Sequence, residues 1–149
     1  MSFKKQILDQ YQLLLQDKID VFRDMISNLS IDAQNDAKGS AGDKHETALS
    51  MMHLEQEKLN YKLKEFFDQK AVLDKIDPFA IHSNIALGSI VRTNSMLLFI
   101  SAALPKINIE NQNIIAVSPQ SPLGSKLIGN RVGFNFEINN SSFKIEEVS

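Results

Sequence analysis

The sequence predicts an α+β chain, in which an N-terminal antiparallel helical hairpin precedes a small antiparallel β-domain with one short helix. Three observations carry this expectation. Apolar residues recur at spacings of three and four through the first half. β-Branched residues and short alternating runs fill the second. Most of the Gly and Pro falls after Asp77-Pro78. Pro78 disfavours helical geometry at Asp77, so a boundary there divides the chain into residues 1–76 and 77–149.

In the first half, Ile7, Tyr11, Leu14, Leu15, Ile19, Phe22, Met25, Ile26 and Leu29 form one apolar stripe, which predicts a helix from about Phe3 to Leu29. A second stripe runs through Met52, Leu59, Leu63, Phe66, Leu73 and Ile76, with heptad-like steps and Lys70 interrupting. Charges such as Glu55 and Lys58 between these positions read as a solvated face. The intervening segment Ser30 to Glu46 holds both glycines of this half and several small polar residues, so the chain reverses there. Two such helices joined by a reversal make an antiparallel αα-hairpin, or coiled coil, with arms of about 40 Å. A long isolated hairpin buries little surface. It therefore either projects for a purpose or packs along its length on the second half or on a second copy.

The second half reads as strands. Ile85 to Asn94, with Gly88 inside it, is followed almost directly by the apolar run Ser95 to Leu104 and then by Asn113 to Val117. Phe134, Phe136 and Ile138 alternate with polar neighbours, as do Phe143 and Ile145, and Asn139 to Ser142 between them is a hairpin turn. In Ser121 to Gly129, Ser121 is a candidate N-cap, Pro122 the first helical residue and Gly129 a C-terminal stop. That segment predicts a short helix crossing the open face of the sheet.

Composition narrows the chemistry. Hydrophobic residues make up 43% of the 149 and charged residues 23%, which argues against wholesale disorder. A formal net charge of −2 supplies no global attraction to nucleic acid or an anionic membrane, so a protein partner or local geometry would have to bring either close. The chain has no cysteine, which excludes disulfides, cysteine-ligated zinc and a thiol nucleophile. It has no signal-peptide pattern at Met1 to Gln12, and Met96 to Leu104 is too short to span a bilayer. The expectation is a cytoplasmic protein with no membrane association.

The order of elements and two local motifs resemble the Gre transcript-cleavage factors. Ile115 to Ile138, containing SPLGSKLIG at Ser121 to Gly129, is similar to the C-terminal domain of that family, with Asn130 where a lysine is common. LGSIV at Leu87 to Val91 resembles that domain's first strand. The family's coiled-coil tip carries Gly-Asp-x-x-Glu followed by Asn-Ala. This chain has Gly42, Asp43, Lys44, His45, Glu46, Thr47 and Ala48, with Leu49 and Ser50 where the family has an acidic and an aromatic residue. The resemblance implies an FKBP-like C-terminal domain, with bacterial RNA polymerase as the partner. It also implies a tip whose Asp43 and Glu46 assist the polymerase active site by helping to hold a Mg ion that activates water, so that backtracked RNA is cleaved near its 3′ end. On that reading the free protein carries no cofactor and is not an independent enzyme. A diverged group of the same shape binds the secondary channel of the polymerase without cleaving, and Thr47, Leu49 and Ser50 point to that alternative.

The residues themselves permit the chemistry without requiring it. Carboxylates three apart on a helix point the same way, and magnesium accepts one or two of them while keeping its waters. The same spacing serves an N-cap and its N3 acid, and the helix dipole favours acids there, so both roles stay open. His45 and His53 are two turns apart, unsuited to a helical zinc pair, and His82 stands alone; all three read as ordinary polar residues. No triad, Walker loop or dinucleotide fingerprint is present. A stand-alone prolyl isomerase would need an aromatic-lined pocket. Phe79, Phe99, Phe134, Phe136 and Phe143 could line one, although their alternation favours core burial.

Overall fold

A computed structural model describes residues 2–38 and 42–149, with the side chains of Ala33 and of residues 35–38 and 42–45 outside that description. The fold class is the expected one. Helices α1 (Phe3–Lys38) and α2 (Gly42–Asp74) are followed by strands β1 (Ile90–Thr93), β2 (Leu97–Ile100), β3 (Ile107–Ile109) and β4 (Gln112–Val117). Helix α3 (Pro122–Leu127) comes next, then β5 (Asn135–Ile138) and β6 (Ser141–Val148). The chain forms two compact units, Leu13–Asp68 and the combination of Met1–Gln12 with Gln69–Ser149.

Within Leu13–Asp68 the two helices run antiparallel. Phe22 meets Phe66 edge-on with ring centroids 5.0 Å apart, and further along the arms the Gln56 side chain donates to Ser30 Oγ at 2.8 Å. Lys18 and Lys62 lay their ammonium groups over the Phe66 ring at 5.6 and 5.5 Å, and Arg23 covers Phe67 at 5.2 Å. Cations over the ring faces add to the apolar packing of a seam only two helices thick. Both helices run further toward the reversal than the apolar stripes predict. Beyond Leu29, α1 continues from Ser30 to Lys38, where Ile31 is exposed.

The remaining unit is a six-stranded mixed sheet in the order β3-β4-β2-β1-β6-β5. Every pairing is antiparallel except β2 with β4, where Leu98, Phe99 and Ile100 face Ile115, Ala116 and Val117. The parallel pair needs no crossover helix. After β2 the chain reverses, runs as β3 along the sheet edge, and the β3–β4 hairpin inserts β4 between β3 and β2. This explains the departure from the all-antiparallel expectation. Strand β3 is only Ile-Asn-Ile, too short to register as a strand by pattern.

Strand β2 is buried along its whole length, which accounts for its unbroken apolar run. Leu98 and Ile100 join Val91, Val117, Leu127, Phe136 and Ile145 in the core cluster. On the other face, Phe99 stacks with Tyr11 of α1, centroids 6.2 Å apart, and the Tyr11 hydroxyl donates to the Pro105 carbonyl at 2.7 Å. Strand β1 starts at Ile90, later than its apolar run begins, because Gly88 takes a φ of +91° in a turn that ends any extended run from Ile85.

The β5–β6 turn is tighter than the four residues expected: Ser141 and Ser142 already belong to β6, leaving Asn139 and Asn140 between the strands. Asn139 and Asn140 both have positive φ, as do Glu110 and Asn111 in the β3–β4 turn, and Asn tolerates the left-handed region better than most residues.

Candidate functional site at the hairpin turn and on the sheet

Helix α2 begins at Gly42, which places Asp43 and Glu46 on its first turns. The Asp43 side chain lies outside the described residues, as do those of Lys44 and His45. Glu46 is exposed, and so are Thr47 and Ser50, while Ala48 and Leu49 are half-buried. With the helix starting at Gly42, Asp43 falls in the first turn, where the macrodipole favours an acid. Among the described residues no three acidic or imidazole side chains converge to hold a metal ion. A lone exposed carboxylate such as Glu46 suits a metal whose other ligands come from elsewhere.

The C-terminal motif folds as its sequence predicts. The Ser121 side chain accepts from Gly124 N at 3.0 Å and Pro122 opens α3. Ser121 Oγ also donates to Ser118 O at 2.7 Å. Gly129, with a φ of +85°, follows the last turn. The helix is seated by Leu127, fully buried in the core cluster, and by Gly124, where a Cβ would stand 1.9 Å from the Ser118 carbonyl oxygen.

The histidines divide. His53 is exposed on α2. His82 is not isolated: its Nδ1 lies 3.0 Å from Ser89 Oγ, which also accepts from Ala86 N at 2.9 Å. That network satisfies the buried Ser89 and fixes the turn before β1, a structural use. The five phenylalanines considered for an isomerase pocket do not gather. Phe99 lies under Tyr11, Phe136 stacks between Phe134 and Phe143, and Phe79 is 71% exposed.

That exposure marks a surface the sequence did not reveal. Phe79 and Ile81 (84% exposed) rim a cavity of about 530 Å³ floored by Ile90 and Leu97, with Arg92, Gln112 and Glu147 at its polar side. Arg92 is held between partners: it donates to Gln112 Oε1 at 3.0 Å and to Glu147 Oε2 at 3.4 Å. The rim segment is itself pinned. Buried Lys4 donates to the Ala80 carbonyl at 2.8 Å and Phe79 N donates to Asp77 Oδ1 at 2.9 Å. Burial pulls the Lys4 ammonium below the usual lysine range, and the nearby Asp77 charge opposes that shift. The only sequence hint was the Pro78-Phe79 step, which reads equally well as a helix stop.

No protein-family model matches the chain, and no curated protein is a significant match. Among solved structures it is similar to one described as the structure of the transcription factor Gfh1, at 16% identity over 92% of each chain with a TM-score of 0.35. A likeness at that level assigns no function. No helix among the described residues is long and apolar enough to cross a membrane.

Proposed function

We propose that the chain is a Gre-like factor of bacterial RNA polymerase. In this reading residues 1–76 enter the secondary channel as the hairpin module, and residues 77–149 dock on the enzyme. Asp43 and Glu46 at the hairpin turn complete a magnesium site that polymerase and RNA otherwise provide, and the chain itself catalyses nothing in isolation. When bound, the metal supplies an activated water for cleavage of backtracked RNA. The observation that carries the reading is the antiparallel hairpin with an exposed Glu46 next to its turn, in the same chain as the Ser121-capped helix and Gly129 turn of the SPLGSKLIG motif. Neither feature alone would suffice, because acids near a helix start and capped short helices are common.

The test is transcript cleavage in stalled, backtracked complexes of the cognate polymerase, with wild type, Asp43→Ala and Glu46→Ala compared. Stimulated cleavage that either substitution removes is the expected result. A second reading, a regulator that binds the channel without cleaving, is favoured by Thr47, Leu49 and Ser50 in place of the family's tip residues. Binding with no stimulated cleavage would select it, and absence of polymerase binding would overturn both. A prolyl isomerase is the remaining alternative; a peptide-isomerisation assay on the full chain with no turnover above background would remove it.

A further inference from the structure

The cavity rimmed by Phe79 and Ile81 adjoins a second one across the Arg92–Gln112 hydrogen bond. Both share Arg92, Leu97 and Gln112 as lining, and the second, of about 390 Å³, extends past Asn94 and Asn113 to Lys106. The two ends differ in chemistry. At the first, Phe79, Ile81, Ile90 and Leu97 present aromatic and aliphatic surface. At the second, amide side chains and an exposed ammonium line the wall, and Arg92 stands at the junction.

We propose that this groove binds an extended peptide segment of a protein partner in which large apolar residues are followed by acidic ones. Three features favour that occupant. Phe79 and Ile81, the most exposed apolar pair on this unit, sit on a segment tied down by Lys4 and Asp77, so little ordering is required on binding. The charge is complementary to acids: Arg92 and Lys106 line the groove, with the Glu147 carboxylate beside Arg92. Among the described residues Lys106 has no ion-pair partner, and the Arg92–Glu147 contact is long at 3.4 Å, which leaves guanidinium hydrogens for an incoming carboxylate. A nucleic acid fits less well, since its phosphates would meet Glu147 and the apolar rim would stay uncovered unless bases stacked there.

The inference does not depend on the polymerase reading. Its test is fluorescence anisotropy on the full-length protein with a labelled Leu-Phe-Ser-Asp-Glu probe, and with Leu-Phe-Ser-Asn-Gln as the uncharged control. Saturable binding of the acidic probe, weakened about tenfold or more by Phe79→Ser, by Arg92→Glu and in the uncharged control, is the expected result. Both substitutions replace exposed or half-exposed side chains, and unchanged melting temperatures would show that the fold is intact. No saturation up to millimolar protein would overturn the proposal. So would binding that is indifferent to Phe79 and Arg92, or a concentration-dependent dimer that Phe79→Ser abolishes, since the groove would then serve a second copy of the chain.

Discussion

Replacing Gly124 by alanine should destabilise the β-unit by about 2–3 kcal/mol, even though Gly124 lies within a helix, where alanine is ordinarily preferred. A Cβ there would stand 1.9 Å from the Ser118 carbonyl oxygen, 2.8 Å from its carbon and 3.0 Å from Pro119 Cα. Ordinary contact begins near 3.4 Å, so the helix must retreat by about 1.5 Å. All three obstacles are backbone, so no rotamer change relieves them. Overpacking of this kind costs roughly 1–3 kcal/mol, and the rigid neighbours place it at the upper end. Retreat would also strain the Ser121 cap, whose acceptor lies 3.0 Å from Gly124 N, at a cost of about 1 kcal/mol. Alanine's better helix propensity returns about 1 kcal/mol. The control is Gly129→Ala, where nothing lies within 4 Å and only the φ of +85° resists, a penalty of roughly 1–2 kcal/mol. Urea unfolding followed by the near-ultraviolet signal of Tyr11, which belongs to the same unit, reads both. A Gly124→Ala protein within about 1 kcal/mol of wild type, or no worse than Gly129→Ala, would refute the argument that α3 is seated by that close approach.

Other outcomes follow from single contacts. The Tyr11 phenol is pushed up to about 12 by burial, against 10.0 when free. Because its folded value is the higher one, its contribution is intact below pH 10 and is lost as pH rises from 10 toward 12. Tyr11→Phe should flatten that decline while costing about 1 kcal/mol at neutral pH for the lost bond to Pro105, as pH-dependent denaturation will show. Phe79→Ser and Ile81→Ser should each alter stability by less than about 0.5 kcal/mol, because neither side chain is packed; a melting curve checks this. Asn140, with a φ of +68°, should tolerate glycine but lose about 1–2 kcal/mol as valine, measured by urea titration.

The parts of the fold legible in the sequence are those fixed by local chemistry. Ser121, Pro122 and Gly129 each act within a few residues of themselves, and the structure uses them as cap, first helical residue and left-handed stop. The Asn139-Asn140 turn is of the same kind. Long-range placement was less legible. Nothing in Ile107 to Ile109 tells that β3 lies at the edge and leaves room for β4 beside β2, because that order is decided by which pairing brings Val117 into one core cluster with Leu98 and Ile100. The helix ends lie beyond the apolar stripes for a related reason. Apolar periodicity reports where a helix is buried, not where it stops, and Ser30 to Lys38 stays helical with little to bury.

Phe79 shows how the same logic governs sites. By type alone it is indistinguishable from Phe99 and Phe136, which enter the core. What separates it is not its own chemistry but the surroundings supplied by distant residues. Lys4 comes from the start of α1 and fixes Ala80 from 76 positions away, while the groove floor comes from two strands and Arg92 is oriented by residues of two others. A motif at the hairpin turn can be recognised because its residues are neighbours in the chain. A groove assembled from the start of α1, the segment after α2 and four strands leaves no such local pattern. Its function therefore has to be sought through the side chains that converge on it, and Phe79 and Arg92 are the two whose replacement should weaken binding about tenfold or more without unfolding the protein.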